Sequence, residues 1–187
     1  MVDDHPAVLT GLLVTLRTEP GIVPSAGAKT AEEALAEGER HAVDVALVDY
    51  HLPDEDGLHL CRQLKALDSP PQVLVYSAFA GTGLGIPARV AGADGLLDKG
   101  VEAETLLNAI REVHRGGKVL PPVSPDQLEA AAVNLDEDDL PVLAMLVSGT
   151  PQDAIAEVLC IEPLDLEARL DAMLKRLRRR SQHRPRL

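Results

Sequence analysis

Five polar residues of this chain could do chemistry together: Asp3, Asp4, Asp49, Ser77 and Lys99. Each stands at or just past the end of a short apolar run, "MV", "VALV", "QVLVY" and "GLL" in turn. If those runs are parallel strands, their carboxyl ends share one edge of the sheet, where open α/β sheets collect ligands. Three carboxylates gathered there repel one another unless a cation neutralises them. Oxygen-only ligands select a hard ion, Mg²⁺ or Mn²⁺. A metal-held carboxylate beside an ammonium and a hydroxyl suits phosphoryl transfer. The carboxylate is the nucleophile that becomes an acyl phosphate, and metal and ammonium stabilise the charge on the transferring oxygens. Taken singly, each residue is ordinary: a strand-end Asp is a common turn former, and a lone Lys is a solvated charge. The weight lies in four strand ends filled in the right order.

The elements that must position these groups alternate along residues 1–118. Val8, Leu9, Leu12, Leu13 and Leu16 recur at helical spacing over 5–18. Thr30 and Glu33 form a capping box that opens a helix through about Glu39. Further helices are predicted over 57–67, a short one in "PARVAGA", and one in "AETLLNAIREVHRGG" closed by glycine. Strands are expected at about 21–25, 45–49, 72–76 and 94–97, each bounded by turn residues. Strands alternating with helices imply a parallel sheet covered on both faces. Only Met1 and Val2 precede "DDHP", too few for a normal buried strand, so the first strand is expected to be truncated.

Residues 119–134, rich in proline, read as a linker with a short helical piece. Three helices follow over 135–180, with a tight turn at 160–162 that suits a helix-turn-helix; 181–187 form a basic tail. Pro151 stands at a first helical position behind Thr150, and the acids 136–139 lie where a helix dipole favours them. Cys61 and Cys160 have no metal spacing and read as small buried hydrophobes. No apolar run approaches a membrane span and no leader pattern opens the chain, so a reduced, cytoplasmic protein is expected.

The net charge of −12 is uneven: residues 175–187 hold seven Lys/Arg and no acid, while 135–174 hold ten acids and one base, Arg169. An acidic body repels a phosphate backbone and a basic tail attracts it. Candidate DNA contacts are therefore Arg169, Lys175, Arg176, Arg178, Arg179 and Arg180.

The stretches "VDDHP", "ALVDYHLPDEDGL", "VYSA" and "GLLDKG" resemble the receiver domain of two-component response regulators. The resemblance covers about residues 1–118 and implies a five-stranded flavodoxin-like α/β fold. It implies Asp49 as phosphoacceptor, Asp4 as metal ligand supported by Asp3, and the backbone carbonyl of His51 as a further ligand. Lys99 would pair with the phosphate and Ser77 would be the switch hydroxyl. The phosphodonor would be a phosphohistidine on a sensor histidine kinase, so the chain accepts a phosphoryl group without being an enzyme in the ordinary sense. Where the family usually has an aromatic three residues before the lysine, this chain has Leu96, and "KGVEAE" lacks the proline that usually follows.

Residues 135–177 are similar to the LuxR (NarL/FixJ)-type helix-turn-helix, with its apolar skeleton at Val142, Leu143, Leu146, Ile155, Leu159, Leu166, Leu170, Leu174 and Leu177. Where that family presents DNA-contacting groups, this chain has Leu164, Asp165 and Glu167. The expected role is a response regulator that controls transcription through a divergent helix-turn-helix, with DNA and a second copy of the chain among its partners. The competing reading is a phospho-receiver whose degenerate helical module binds protein and reads no DNA sequence. A metal-dependent phosphatase is disfavoured, because Tyr50 and His51 follow Asp49 where a second acid–base carboxylate would be needed.

Overall fold

The computed structural model describes residues 1–181 apart from Ala26, Phe79 and Thr82, and only the backbone of 179–181. The predicted tail past Ser181, and the side chains of Arg179 and Arg180, lie outside the described residues. The chain divides into two compact units. The first holds Met1–Ala80 and Ala93–Leu120; the second holds Gly81–Gly92 and the residues from Pro121 on.

In the first unit the order is α1 (Pro6–Arg17), α2 (Ala31–Arg40), β1 (Val45–Val48), α3 (Gly57–Lys65), β2 (Gln72–Ser77), β3 (Gly95–Asp98) and α5 (Ala103–His114), with α4 (Gly85–Val90) assigned to the second unit. The strands form a parallel sheet in the order β1-β2-β3. Val2 extends it by single parallel bridges to Val48 on one side and Ala28 on the other. The spatial order is thus Ala28, Val2, β1, β2, β3, the doubly wound order whose reversal beside the first strand makes a crevice.

Two of the five expected strands shrink to single bridges, and the second pairs at Ala28 rather than over 21–25. The cause is physical. A first strand that contributes only Val2 offers one pairing position to its neighbour, and Pro24 has no N–H to donate. Beside Val2 lies an apolar cavity of about 300 Å³, lined among others by Met1, Leu16, Ile22, Val45 and Leu47.

Helix ends follow local chemistry. Thr30 accepts from the Glu33 amide, and the exposed Asp54 carboxylate accepts from Ala31 and Glu32 at the same helix start. Asp56 caps α3 by accepting from Leu58 and His59, each at 2.9 Å. α5 places Leu106, Leu107 and Ile110 on a core that includes Leu16, Leu47, Leu74 and Tyr76. Asp94, just before β3, is 2% exposed and neutralised by Lys65 and Lys118, each at 2.5 Å, while accepting from the Val73 amide. Val119 then pairs beside Gly95, so the chain leaving α5 closes the outer edge of β3.

The second unit contains α4, α6 (Pro125–Ala132), α7 (Asp139–Val147), α8 (Gln152–Leu159) and α9 (Pro163–Ser181). α6 opens with a full capping box between Ser124 and Gln127. Val142, Leu143, Leu146, Ile155, Leu166, Leu170, Met173, Leu174 and Leu177 are buried and form the core, as expected from sequence, whereas Leu159 is only half-buried. Cys61 is buried as expected, and burial pushes its thiol up to about 12. Cys160 is exposed instead: it takes the left-handed conformation, φ 52°, that ends α8 and turns its side chain out of the core.

Candidate functional site

The site lies past the carboxyl ends of the strands. Val2 fixes Asp3 and Asp49 at once: its carbonyl accepts from the Asp49 amide at 2.9 Å, and its own amide donates to Leu47. The Asp3 amide donates to Ala28, which pins the segment from the other side. Gly57 lets the loop after β1 close over Asp49. A Cβ there would overlap the Asp49 carbonyl oxygen, and the Gly57 amide donates to Tyr50 at 2.8 Å. His51 bridges antiparallel to Asp56 within this loop.

Lys99 reaches in from the end of β3, its amide held by the Ser77 carbonyl at 3.1 Å. Its ammonium donates to Asp3 Oδ2 at 2.6 Å and to Asp49 Oδ2 at 2.7 Å. Both carboxylates are buried, 2% and 5% exposed, so this one cation faces two desolvated anions. Partial burial pulls the Lys99 ammonium down, but its bonds to Asp3 and Asp49 outweigh that and hold its pKa above the ordinary lysine value. The Tyr76 hydroxyl donates to the Lys99 carbonyl at 3.1 Å and steadies the same loop.

The structure therefore brings Asp3, Asp49 and Lys99 into direct contact, places Asp4 in the same cluster, and ties Ser77, fully buried at the end of β2, to it through its backbone. Asp3, Asp4, His5 and Asp49 each offer a ligand atom within 4.8 Å of the others. One carboxylate oxygen of Asp4 is buried and accepts no hydrogen bond, although His5 Nδ1 lies 2.6 Å from it without suitable donor geometry. A buried carboxylate oxygen that accepts no hydrogen bond suits a cation, and the carboxylate oxygens of Asp3, Asp4 and Asp49 fit a hard one, with a ring nitrogen of His5 beside them. His5 is the residue that sequence reasoning missed. Its amide donates to Asp3 Oδ1 at 2.9 Å, and its place in "DDHP" was the available signal.

In the second unit the candidate DNA contacts fare unevenly. Arg169 donates to the Asp138 carbonyl at 2.7 Å, and Arg176 pairs with Asp136 at 2.5 Å and with buried Asp139 at 2.7 Å. Both tie α9 to the start of α7. Lys175 is exposed and Arg178 half-buried. Arg179 and Arg180 have no described side chains.

Known proteins resemble this chain in sequence and fold. The family model for the response regulator receiver domain matches residues 1–111. The transcriptional activator protein ExaE of Pseudomonas putida is 31% identical over 172 residues, which span 86% of this chain and 80% of that protein. A crystal structure of a LuxR-family two-component response regulator from Aurantimonas sp. SI85-9A1 superposes with a TM-score of 0.60 at 28% identity, covering 71% of this chain and 92% of that one. RcsB from Salmonella enterica serovar Typhimurium, solved bound to a promoter, extends the likeness to 94% of this chain and 89% of its own. Its TM-score is 0.60 and its identity 18%, a likeness of fold.

Proposed function

This chain belongs to the response regulator family, and from that premise we propose that Asp49 is its phosphoacceptor and that its helical unit acts on transcription. The observation that carries the first part is the Lys99 bridge between Asp3 and Asp49 beside an Asp4 oxygen that accepts no hydrogen bond. A carboxylate oxygen of Asp49 attacks the phosphorus of a phosphohistidine on a sensor kinase. The new P–O bond forms as the P–N bond breaks, and the imidazole leaves with the bonding pair and takes up a proton. Lys99 meets the charge on the phosphoryl oxygens, which positioning and electrostatics stabilise without further chemistry. A Mg²⁺ or Mn²⁺ ion held by Asp3, Asp4, Asp49 and the His51 carbonyl would neutralise the same oxygens. Ser77 stands at the adjoining strand end, where a hydroxyl can bond the transferred group and report it. Incubation with a small phosphodonor and Mg²⁺ tests the assignment: the intact protein gains one phosphoryl group and Asp49→Asn gains none. Equal labelling of that variant refutes it.

The output reading rests on the α7–α8–α9 arrangement and on ExaE, a transcriptional activator by name. A second reading, in which the helical unit binds protein, is favoured by one observation: Arg169 and Arg176 are spent on the unit's own carbonyl and carboxylates while Asp165 and Glu167 lie exposed on α9. Binding to genomic fragments across a salt series separates the two. Sequence preference that survives deletion of 178–187 supports DNA readout. Attraction that is steep in salt and lost with the tail is nonspecific, and no binding at low salt favours protein partners. Among the described residues, no helix is long and apolar enough to cross a membrane.

A further inference from the structure

The solvent face of α9 is unlike that of a helix built to lie in a groove. Leu166, Leu170, Met173, Leu174 and Leu177 point into the core. At about 100° per residue, the opposite face carries Leu164, Asp165, Ala168, Ala172 and Lys175. Leu164 is 82% exposed, a large apolar side chain left in water at the start of the helix. Asp165 and Lys175 are exposed, and among the described residues neither side chain has a hydrogen-bond or ion-pair partner. The two small alanines between them leave room for another backbone to approach closely. Charge is divided along the same helix: Asp165, Glu167 and Asp171 lie in its first half, and Lys175, Arg176 and Arg178 in its second.

We propose that this face pairs with the same face of a second copy of the chain, the two α9 helices running antiparallel about a two-fold axis near Leu170. This surface lies apart from the phosphoacceptor site and overlaps the side of α9 that the transcription reading invokes; its test, association of the chain in the absence of DNA, depends on neither reading. An isologous contact must be self-complementary, and this face is. With the helices reversed, Ala168 of each copy meets Ala172 of the other, Asp165 lies across the seam from the partner's Lys175, and the exposed Leu164 is covered. The acidic half of each helix then rests on the basic half of its mate, and the opposed helix dipoles add to the attraction. A parallel pairing would set acid on acid and base on base. A single helix pair is a small contact, of the transient class below about 1,200 Å². The charges also explain the selectivity for self: a duplex of phosphates is repelled by Asp165 and Glu167, whereas a second α9 is attracted by them. Occupying this face hides the side of α9 that a groove-reading helix would present, so pairing and DNA contact through it exclude each other.

Sedimentation of the full chain over a concentration series at low salt tests the pairing, with circular dichroism to confirm that every variant folds. The wild-type chain is expected to dimerise reversibly, more weakly as salt screens the charges. Asp165→Lys sets lysine against lysine, Lys175→Asp sets aspartate against aspartate, and each alone is expected to weaken association by about tenfold or more. The decisive arm is the mixture. One copy carrying Asp165→Lys and another carrying Lys175→Asp again present opposite charges at both contacts, so the equimolar mixture is expected to recover the wild-type association as a heterodimer. Leu164→Asp, a substitution on the exposed face that leaves the core untouched, is expected to abolish it. A wild-type chain that stays monomeric, variants that dimerise like the wild type, or a mixture no better than its components each overturns the proposal.

Discussion

Replacing Lys99 by alanine separates a charge-clustered site from one held together by shape. Lys99 lies 2.6 and 2.7 Å from two buried carboxylates, and its removal leaves both without their cation. At an effective dielectric constant of about 20, each contact is worth roughly 6 kcal/mol of Coulomb attraction, most of it cancelled by the desolvation of the ions. Breaking such a pair typically costs about 3–5 kcal/mol, and the partial exposure of Lys99 lowers the expectation to about 2–3 kcal/mol. Asp49→Asn should behave differently. It also loses one contact with Lys99, but it relieves repulsion from Asp3 and Asp4, whose ligand atoms lie within 4.8 Å. At that distance each like-charge pair costs roughly 3.5 kcal/mol on the same scale, so loss and relief nearly cancel. Asp49→Asn is therefore expected within about 1 kcal/mol of wild type. Urea unfolding of both variants with EDTA present checks this, followed by the same titration in Mg²⁺. The ion should stabilise wild type and Lys99→Ala by more than Asp49→Asn, which has lost an anionic ligand. An Asp49→Asn chain destabilised as much as Lys99→Ala, or a Mg²⁺ response equal in all three, would refute the electrostatic account.

Asp94→Ala strands Lys65 and Lys118 and leaves the Val73 amide without its acceptor, and is expected to cost about 3–5 kcal/mol by urea unfolding. Ellman titration of the native chain should find one reactive thiol, Cys160, and a second only in denaturant, because burial and a pKa near 12 keep Cys61 protonated and covered. Burial alone would raise the Asp54 carboxyl, yet the amides of Ala31 and Glu32 outweigh it and hold it below 3.8. Its contribution is thus complete above 3.8 and lost as pH falls through the lower folded value, so an acid titration of Asp54→Asn should lack that part of the stability loss.

Most of the fold was legible because it rests on local rules. The Thr30 cap, the helical spacing of α5 and the apolar runs of β1 and β2 each announce their element. The strand predicted over 21–25 failed because pairing there depends on how far Val2 extends its own strand, a non-local fact. The site was legible because strand ends fix backbone position, which brought Asp3, Asp49 and Lys99 together from three distant segments. What spacing could not show was the inward use of charge. Arg169 and Arg176 read as free cations along the chain, and only packing reveals the Asp138 carbonyl and the carboxylates of Asp136 and Asp139 beside them. Cys160 likewise turns outward for a reason held in one backbone dihedral.

If Asp49 is the phosphoacceptor, the acyl phosphate forms on it and nowhere else. Borohydride reduces an acyl phosphate of aspartate to homoserine, so phosphorylating the chain in Mg²⁺, reducing it and mapping its peptides locates the acceptor. Homoserine is expected at position 49 alone, dependent on phosphodonor and divalent cation. Homoserine at Asp3, Asp4 or another carboxylate, with Asp49 unmodified, would contradict it.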